Sequence, residues 1–527
     1  MIERDFGGSG MIDGGMNDCR LLAIALDSIS LAFIRDHRDR LPNLSSQLDN
    51  GMCRTLETPA KYLSASPWPT FSSGLLPGDH GHYYPFQWDA DKHRCRRVAK
   101  SVWSQRFEYE PFWHPIARQG VPTIAFDIPY APINREVPCL QITHWSYQST
   151  GVAEASHPEI LGDIRARFGH RPIGAEVPVP KTAKQCNALR DRQVRAAKSK
   201  GDAILHLMDR PWRLFLTGFF EGHRAGHNLW PVEGDFPSDA APDALLSVYE
   251  ELDRQLARIL QRIERDGQAT SVLLFALHGM EANRAQNHFL NEIIGRLNAR
   301  HLGLAASLGD SAEPTNMMSY LRSAVPPTLQ YHAARLLGED VQDWVLNRAL
   351  VGGRDWSQTP SLVLPSGGEG LVRLNIKGRE REGFFEPDSA ILHDYVTWLC
   401  ARLADIRVVD TGELLIDMIL LSDEHFAGAR RQYLPDIVLS WRPDAPAVRI
   451  ASPDIGEIEM RLNTGRGGNH NGEAFAIATG CQDFMADAGS IRHIANLGGL
   501  VERYFGLKTS VSDAFDAPGG KCPTLAN

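Results

Sequence analysis

The chain has 527 residues, enough for one large α/β domain with insertions or for about two to four smaller ones. Hydrophobic residues make up 43% and charged residues 23%, an ordinary globular balance, and the formal net charge is −9 with a pI of about 6.1. That balance excludes an electrostatic nucleic-acid binder or a basic membrane patch, and no apolar run reaches the length of about 18 residues needed to span a membrane.

Residues 1–18, rich in Gly and Met, read as a flexible N-terminus without the apolar core of a secretion signal. The eight cysteines are scattered with no Cys-x-x-Cys pair, which argues against a cysteine zinc site and suits reduced thiols in a cytoplasmic protein. Leu21 to Leu26 is a continuous apolar run of the kind buried in a parallel sheet, and it ends in Asp27-Ser28. An acid at the exit of a central strand is a candidate metal ligand, with a helix N-cap as the competing reading. Tyr62 to Gly81, dense in hydroxyls, Pro and Gly, reads as a structured loop holding a short helix. A hydroxyl there is a candidate nucleophile, and on composition alone several serines compete for the role.

Gly120 to Pro129 reads as a short strand entering a Pro-rich loop, and Lys184 to Leu207 as a long amphipathic helix interrupted near Gly201. Trp212 to Phe220 is another buried strand, followed by Glu221-Gly-His223-Arg-Ala-Gly-His227. If the chain turns helical here, His223 and His227 stand at i and i+4 and share a metal; otherwise they are surface histidines at a polar strand exit. Pro242 to Gly267 is the clearest helix, with an apolar stripe through Leu245, Tyr249, Leu252, Leu256 and Ile259 that belongs to the core. Thr270 to Leu277 repeats the buried-strand pattern and ends at His278; strand, helix and strand in succession predict a parallel βαβ unit.

Residues 284–350 read as mostly helical, and 301–361 as an inserted helical cap. A strand and turn at Leu371–Arg379 and a strand at Leu434–Trp441 flank a helix at Ser389–Ile406, and a Gly-rich loop then carries His470 into a last apolar strand. Residues 509–527 read as a tail, so the core divides into 19–300 and 362–508.

Of five points, Asp27, the Ser64–Gly81 loop, His223/His227, His278 and His470, four adjoin an apolar strand, and a doubly wound sheet brings such points to one edge. His and Asp are zinc-type ligands, and a hydroxyl beside the metal serves as an activated nucleophile. In this order the motifs resemble the alkaline phosphatase superfamily, in its type I phosphodiesterase/nucleotide pyrophosphatase branch. The first acid matches Asp27. The Thr-Gly-x-x-Pro-x-x-His-Gly pattern matches Ser73-Gly74-Leu-Leu-Pro77-Gly-Asp-His80-Gly81, and the family spacing then puts the nucleophile at Ser64. The Asp-x-x-x-His pair falls on His223 and His227, the Asp-His-Gly on Leu277-His278-Gly279, and the last histidine on His470. The resemblance covers 20–300 and 365–505.

It implies an α/β fold, a doubly wound mostly parallel sheet flanked by helices, alkaline phosphatase-like, with an inserted helical cap. It also implies a metal-dependent hydrolase of a small-molecule phosphoester, a phosphodiester or nucleotide-like substrate, using one or two divalent ions, zinc foremost. Ser64 attacks phosphorus, a covalent phospho-enzyme forms, and water cleaves it. Sulfate, phosphonate or transfer chemistry stays open, although the formylglycine pattern of sulfatases is missing. Two departures stand out: His223 and Leu277 replace aspartates. One site, built on Asp27, Ser64 and His278, then lacks a carboxylate; the other, built on His223, His227 and His470, is a neutral three-imidazole set suited to zinc. The expectation is that Glu221 supplies the carboxylate missing at Leu277; a surface or capping Glu is the competing reading. Leu277 also favours the alternative function, a one-metal or metal-poor relative that binds an anionic ligand or performs an atypical phosphoryl or sulfuryl transfer in biosynthesis. His80 and His82 are expected to support their loop.

Overall fold

A computed structural model describes residues 19–98, 109–146, 152–174, 182–231, 243–304, 344, 347–348, 351, 354–462 and 466–509. The expected N-terminal segment 1–18, most of the expected cap, and the tail from 510 lie outside these residues.

The organising element is an eight-stranded sheet in the order Met52–Leu56, Ala474–Thr479, Thr270–Ala276, Arg20–Leu26, Leu214–Phe219, Thr123–Phe126, Cys139–Thr143, Glu154–Ala155. The strands from Thr270–Ala276 through Cys139–Thr143 are mutually parallel; Ala474–Thr479 and Glu154–Ala155 pair antiparallel with their neighbours. The sheet is therefore mixed and mostly parallel, flanked by helices on both faces. The βαβ pairing read from Trp212 to Leu277 is present, with Arg20–Leu26 lying between its two strands.

The reason the first strand is apolar from Leu21 to Leu26 is visible in its two faces. Leu22, Ile24 and Leu26 enter one core with the helices Ala183–Leu207 and Ala244–Asp266, while Leu21, Ala23 and Ala25 enter the other with Trp68, Phe71 and Trp113. The period-two alternation is hidden because both faces are covered, and each fully buried Leu or Ile contributes roughly 2 kcal/mol. The helix Ala183–Leu207 runs through Gly201 without the expected interruption, because a side chain at 201 would lie 2.1 Å from Gln255 Oε1 of the neighbouring helix. Glycine there is a packing requirement between two helices, not a break.

A second, antiparallel sheet orders Ser361–Val363, Gly370–Leu374, Ile437–Trp441 and Ile416–Leu421, and packs with the helices Leu290–His301 and Ala390–Ala404 in a core of its own. The strands expected near 371 and 434 belong to this sheet and not to the main one. Arg379 pairs with Asp436 (2.6 and 2.7 Å) and, with Arg373, with the buried Glu380, tying the turn after Gly370–Leu374 to the start of Ile437–Trp441. No helix of the described residues is long and apolar enough to cross a membrane.

Candidate metal centre

The carboxyl edge of the main sheet gathers most of the expected residues. Asp27 follows the first strand, and Ser28 turns the chain with φ 57°, a left-handed backbone that costs about 1–3 kcal/mol in a non-glycine residue. The turn aims Ser28 Oγ at His278 Nδ1 (3.0 Å). Glu221 to Leu229 is helical, so His223 and His227 do stand one turn apart. His470 lies on the strand Gly468–Asn471, which pairs antiparallel with Gly279–Ala282 and sets His470 opposite Met280. The strand reaches the helix because a side chain at Gly468 would lie 2.3 Å from the Gly226 carbonyl oxygen; backbone meets backbone there.

One ligand atom each of His223, His278 and His470 falls within 4.8 Å of the others. His227 Nε2 is 3.1 Å and His470 Nε2 2.9 Å from His223 Nε2, and the rings of His278 and His470 are 4.4 Å apart. Asp27 closes the group: its Oδ2 is 2.5 Å from His223 Nδ1, and its Oδ1 accepts from Trp68 Nε1–H (3.0 Å) and lies 3.7 Å from His278 Nε2.

The outer partners fix the ring protons. His223 Nδ1 faces the Asp27 carboxylate, and His227 Nδ1 faces the Gly468 carbonyl (2.9 Å). Both partners are acceptors when Asp27 is ionised, so each Nδ1 carries its proton and each Nε2 points a lone pair at the other. Two lone pairs 3.1 Å apart repel unless a cation, a proton or a metal ion, lies between them. Burial lowers His227, His278 (to about 4) and His470, with neighbouring positive and imidazole groups adding to the effect on His227 and His470. The rings of His227, His278 and His470 are therefore neutral at ordinary pH, the form that binds metal. Burial alone would raise the Asp27 carboxyl, but His223, and behind it His278, outweigh burial and hold it below its usual value. Three buried imidazoles, the partly buried His470 and one carboxylate, with acceptors behind His223 and His227, fit a borderline divalent ion such as zinc.

The structure does not bring Glu221 to this group. Its Oε2 accepts the Phe220 N–H at the start of its own helix (3.0 Å), and the carboxyl faces Lys200 and Asp127. Burial raises it to about 7, against the pull of Lys200. The carboxyl expected to replace the aspartate missing at Leu277 is thus turned toward Phe220 N–H, Lys200 and Asp127. Leu277 itself is buried among Trp68, Phe71 and Phe275, and only its carbonyl reaches a polar partner, Thr58 Oγ1 (2.8 Å).

Ser64 joins the centre through indirect links. The helix Pro67–Ser73 that follows it is tied to Asp27 by Trp68, and Ser64 Oγ abuts Gly367, whose carbonyl accepts from Asn469 Nδ2 (3.2 Å) next to His470. His80 bonds Thr70 Oγ1 (3.0 Å) and accepts the His82 N–H (3.0 Å), and so braces the Ser64–Gly81 loop from within.

Sequence reasoning missed a second buried group beside the centre. Lys200 pairs with Asp127, Ser146 Oγ donates to the same carboxylate (2.5 Å), and Phe126, Trp145 and Phe220 surround the ammonium at 4.5–5.4 Å. A signal existed: Ala125-Phe126-Asp127 repeats the strand-then-acid pattern of Ala25-Leu26-Asp27, and Lys200 falls on the apolar face with Ala196, Ala197 and Ile204.

A mostly parallel sheet with an imidazole-rich centre at its carboxyl edge defines an α/β protein built around a metal-type site. The model of the family "Type I phosphodiesterase / nucleotide pyrophosphatase" matches residues 21–445, and the chain belongs to that enzyme family. No curated protein sequence matches the chain. Among solved structures, murine ectonucleotide pyrophosphatase/phosphodiesterase 5 aligns at 12% identity over 94% of this chain and 96% of that one, with a TM-score of 0.48. An inactive form of that murine protein in complex with AMP aligns at 11% over the same shares, with a TM-score of 0.47. Phosphonoacetate hydrolase from Sinorhizobium meliloti 1021, in complex with phosphonoformate, aligns at 14% over 93% of this chain and 96% of that one, with a TM-score of 0.47.

Proposed function

We propose that the chain hydrolyses a small-molecule phosphoester, of phosphodiester or nucleotide-like type, through Ser64. The observation that carries this reading is the convergence of His223, His227, His278, His470 and Asp27 beside the loop that bears Ser64. Asp27 orients His223, Trp68 holds Asp27 and the loop together, and Gly468 and Ser28 orient His227 and His278. A zinc ion bound by these residues would supply Lewis acidity toward the phosphoryl oxygens. Ser64 Oγ gives up its proton to solvent and forms the new bond to phosphorus as the P–O bond to the leaving alcohol breaks, the alcohol takes a proton from solvent, and water cleaves the serine ester to return the Ser64 hydroxyl and release a phosphomonoester from a phosphodiester, or phosphate from a monoester. The reading takes the protein as cytoplasmic, from the scattered cysteines.

The test is turnover of bis(p-nitrophenyl) phosphate by zinc-loaded wild-type and Ser64→Ala protein, with metal content measured on both. Loss of turnover by about a thousandfold or more, with metal and melting temperature retained, supports Ser64 as nucleophile. Full activity in Ser64→Ala removes it.

Leu277 supports a second reading, a one-metal relative that binds an anion or carries out an atypical transfer, since Asp27 is the one carboxylate at the imidazole group among the described residues. A metal-loaded protein that binds phosphate and turns over no aryl phosphodiester would favour it.

A further inference from the structure

Ser64 has an unexpected partner. Its backbone N–H donates to Glu369 Oε1 (2.5 Å), and Glu369 Oε2 accepts from the N–H groups of Gly367 (3.1 Å) and Gly368 (3.0 Å). A single carboxylate thus collects three backbone donors from two parts of the chain 305 positions apart. The same loop lies directly on the expected nucleophile, since a side-chain carbon at Gly367 would be 2.6 Å from Ser64 Oγ.

The loop is held from outside by contacts that leave those amides facing inward. Trp441 Nε1–H donates to the Gly368 carbonyl (2.6 Å), Asn469 Nδ2 to the Gly367 carbonyl (3.2 Å), and Ser366 Oγ to the Glu369 carbonyl (2.6 Å). Each carbonyl is turned away and bonded elsewhere, so the Gly367 and Gly368 N–H groups converge with that of Ser64. Converging backbone N–H groups form a concave nest that binds an oxygen anion. The group in it is a negatively charged oxygen pair, the same kind of acceptor that a phosphoryl group presents.

We infer that the amides of Ser64, Gly367 and Gly368 form a binding site for an oxygen of a tetrahedral oxyanion, and that Glu369 is its intramolecular occupant, displaced when the anion binds. The ligand class rests on the reading of Ser64 as the attacking group; the nest itself rests on the hydrogen bonds. Two anions cannot share these donors without strong repulsion, so the carboxylate and the incoming anion exclude one another. Glu369 therefore sets a threshold: the site's apparent affinity is its intrinsic affinity scaled by the fraction of molecules in which the side chain has swung out. Glu369 is only partly buried, which leaves it a path to solvent.

The test uses the full-length, zinc-loaded protein and inorganic phosphate as probe. Phosphate binding is measured by titration calorimetry on wild type, Glu369→Gln and Glu369→Ala, with zinc content and melting temperature recorded for each. The expected result is tighter phosphate binding by about tenfold or more in Glu369→Ala, and a smaller gain in Glu369→Gln, whose amide oxygen still accepts an N–H but carries no charge. Unchanged or weaker binding in a folded Glu369→Gln or Glu369→Ala overturns the proposal and makes Glu369 a brace for its loop. Loss of bound zinc in Glu369→Gln also overturns it, by making Glu369 a metal ligand. Because phosphate binding is read without turnover, the two readings fail separately. A wrong nucleophile shows as activity retained in Ser64→Ala with the Glu369 effect intact. A wrong occupant shows as unchanged phosphate binding with Ser64→Ala inactive.

Discussion

His223 Nε2 and His227 Nε2 face each other at 3.1 Å, while the far nitrogen of each ring faces an acceptor, Asp27 and the Gly468 carbonyl. A bound dication removes this repulsion, so metal and folding are linked. Purified protein is expected to carry about one zinc-like ion per chain or more, and free metal at a hundredfold over its dissociation constant adds about 2.7 kcal/mol of stability. Chelation then lowers the melting temperature by several degrees, read by calorimetry, and His227→Ala weakens metal binding at least about tenfold.

Trp68 reaches the same centre from the second row. Its indole N–H donates to Asp27 Oδ1, and Asp27 in turn orients His223. Trp68→Phe keeps an aromatic ring, smaller than the indole, and loses the donor. The expected cost is about 1.5–3 kcal/mol for a hydrogen bond to a charged group, with metal affinity down about 10–100-fold. Competition with a chromogenic chelator measures the second quantity; an unchanged affinity would show that Asp27 is held without Trp68.

Lys200 and Asp127 form a fully buried pair. Burial alone would lower the Lys200 ammonium strongly, and Asp127 and Glu221 offset part of that. Lys200→Met leaves Asp127 without its cation and is expected to cost about 3–5 kcal/mol in urea unfolding. Lys200→Met combined with Asp127→Asn should cost clearly less than the sum of the single changes, because residues sharing one network are not additive.

Acid sensitivity should centre on the second sheet. Burial would raise the Asp436 carboxyl, but Arg379, with Arg373 and Arg431, overrides burial and holds it far below the usual range. Below pH of about 4 the unfolded chain takes up a proton that the folded one refuses. The contribution is complete above that pH and drains away as pH falls toward the depressed folded value. Urea unfolding across pH 2–6 should show this slope in wild type, and Asp436→Asn should flatten it while lowering stability at neutral pH.

The strand exits were legible because each pairs an apolar run with a ligand-capable residue: Leu26-Asp27, Phe220-Glu221 and Leu277-His278. His223 and His227 were legible because their spacing is one helical turn, which the helix Glu221–Leu229 honours. The direction of Glu221 was not legible. Position along a helix start gives no account of a cation on another helix, and Lys200 decides which way that carboxyl turns. Glu369 left no local signal either, since its meaning comes from Ser64, far away in the chain. Gly201 misled because a glycine in a helical pattern marks either a break or a close crossing, and only Gln255 tells which.

The strand Ala474–Thr479 lies between Thr270–Ala276 and Met52–Leu56, inside the sheet, although it is the last strand in the described chain. On a ribosome, the Thr270–Ala276 strand has left the exit tunnel long before its neighbour is made. For that interval it presents a bare edge to anything that offers a strand. His470 arrives on the same late segment, so the half-made protein is both adhesive and without a complete metal site. Recombinant yield should therefore depend on slow synthesis or holdase capacity more than the stability of the finished molecule would suggest.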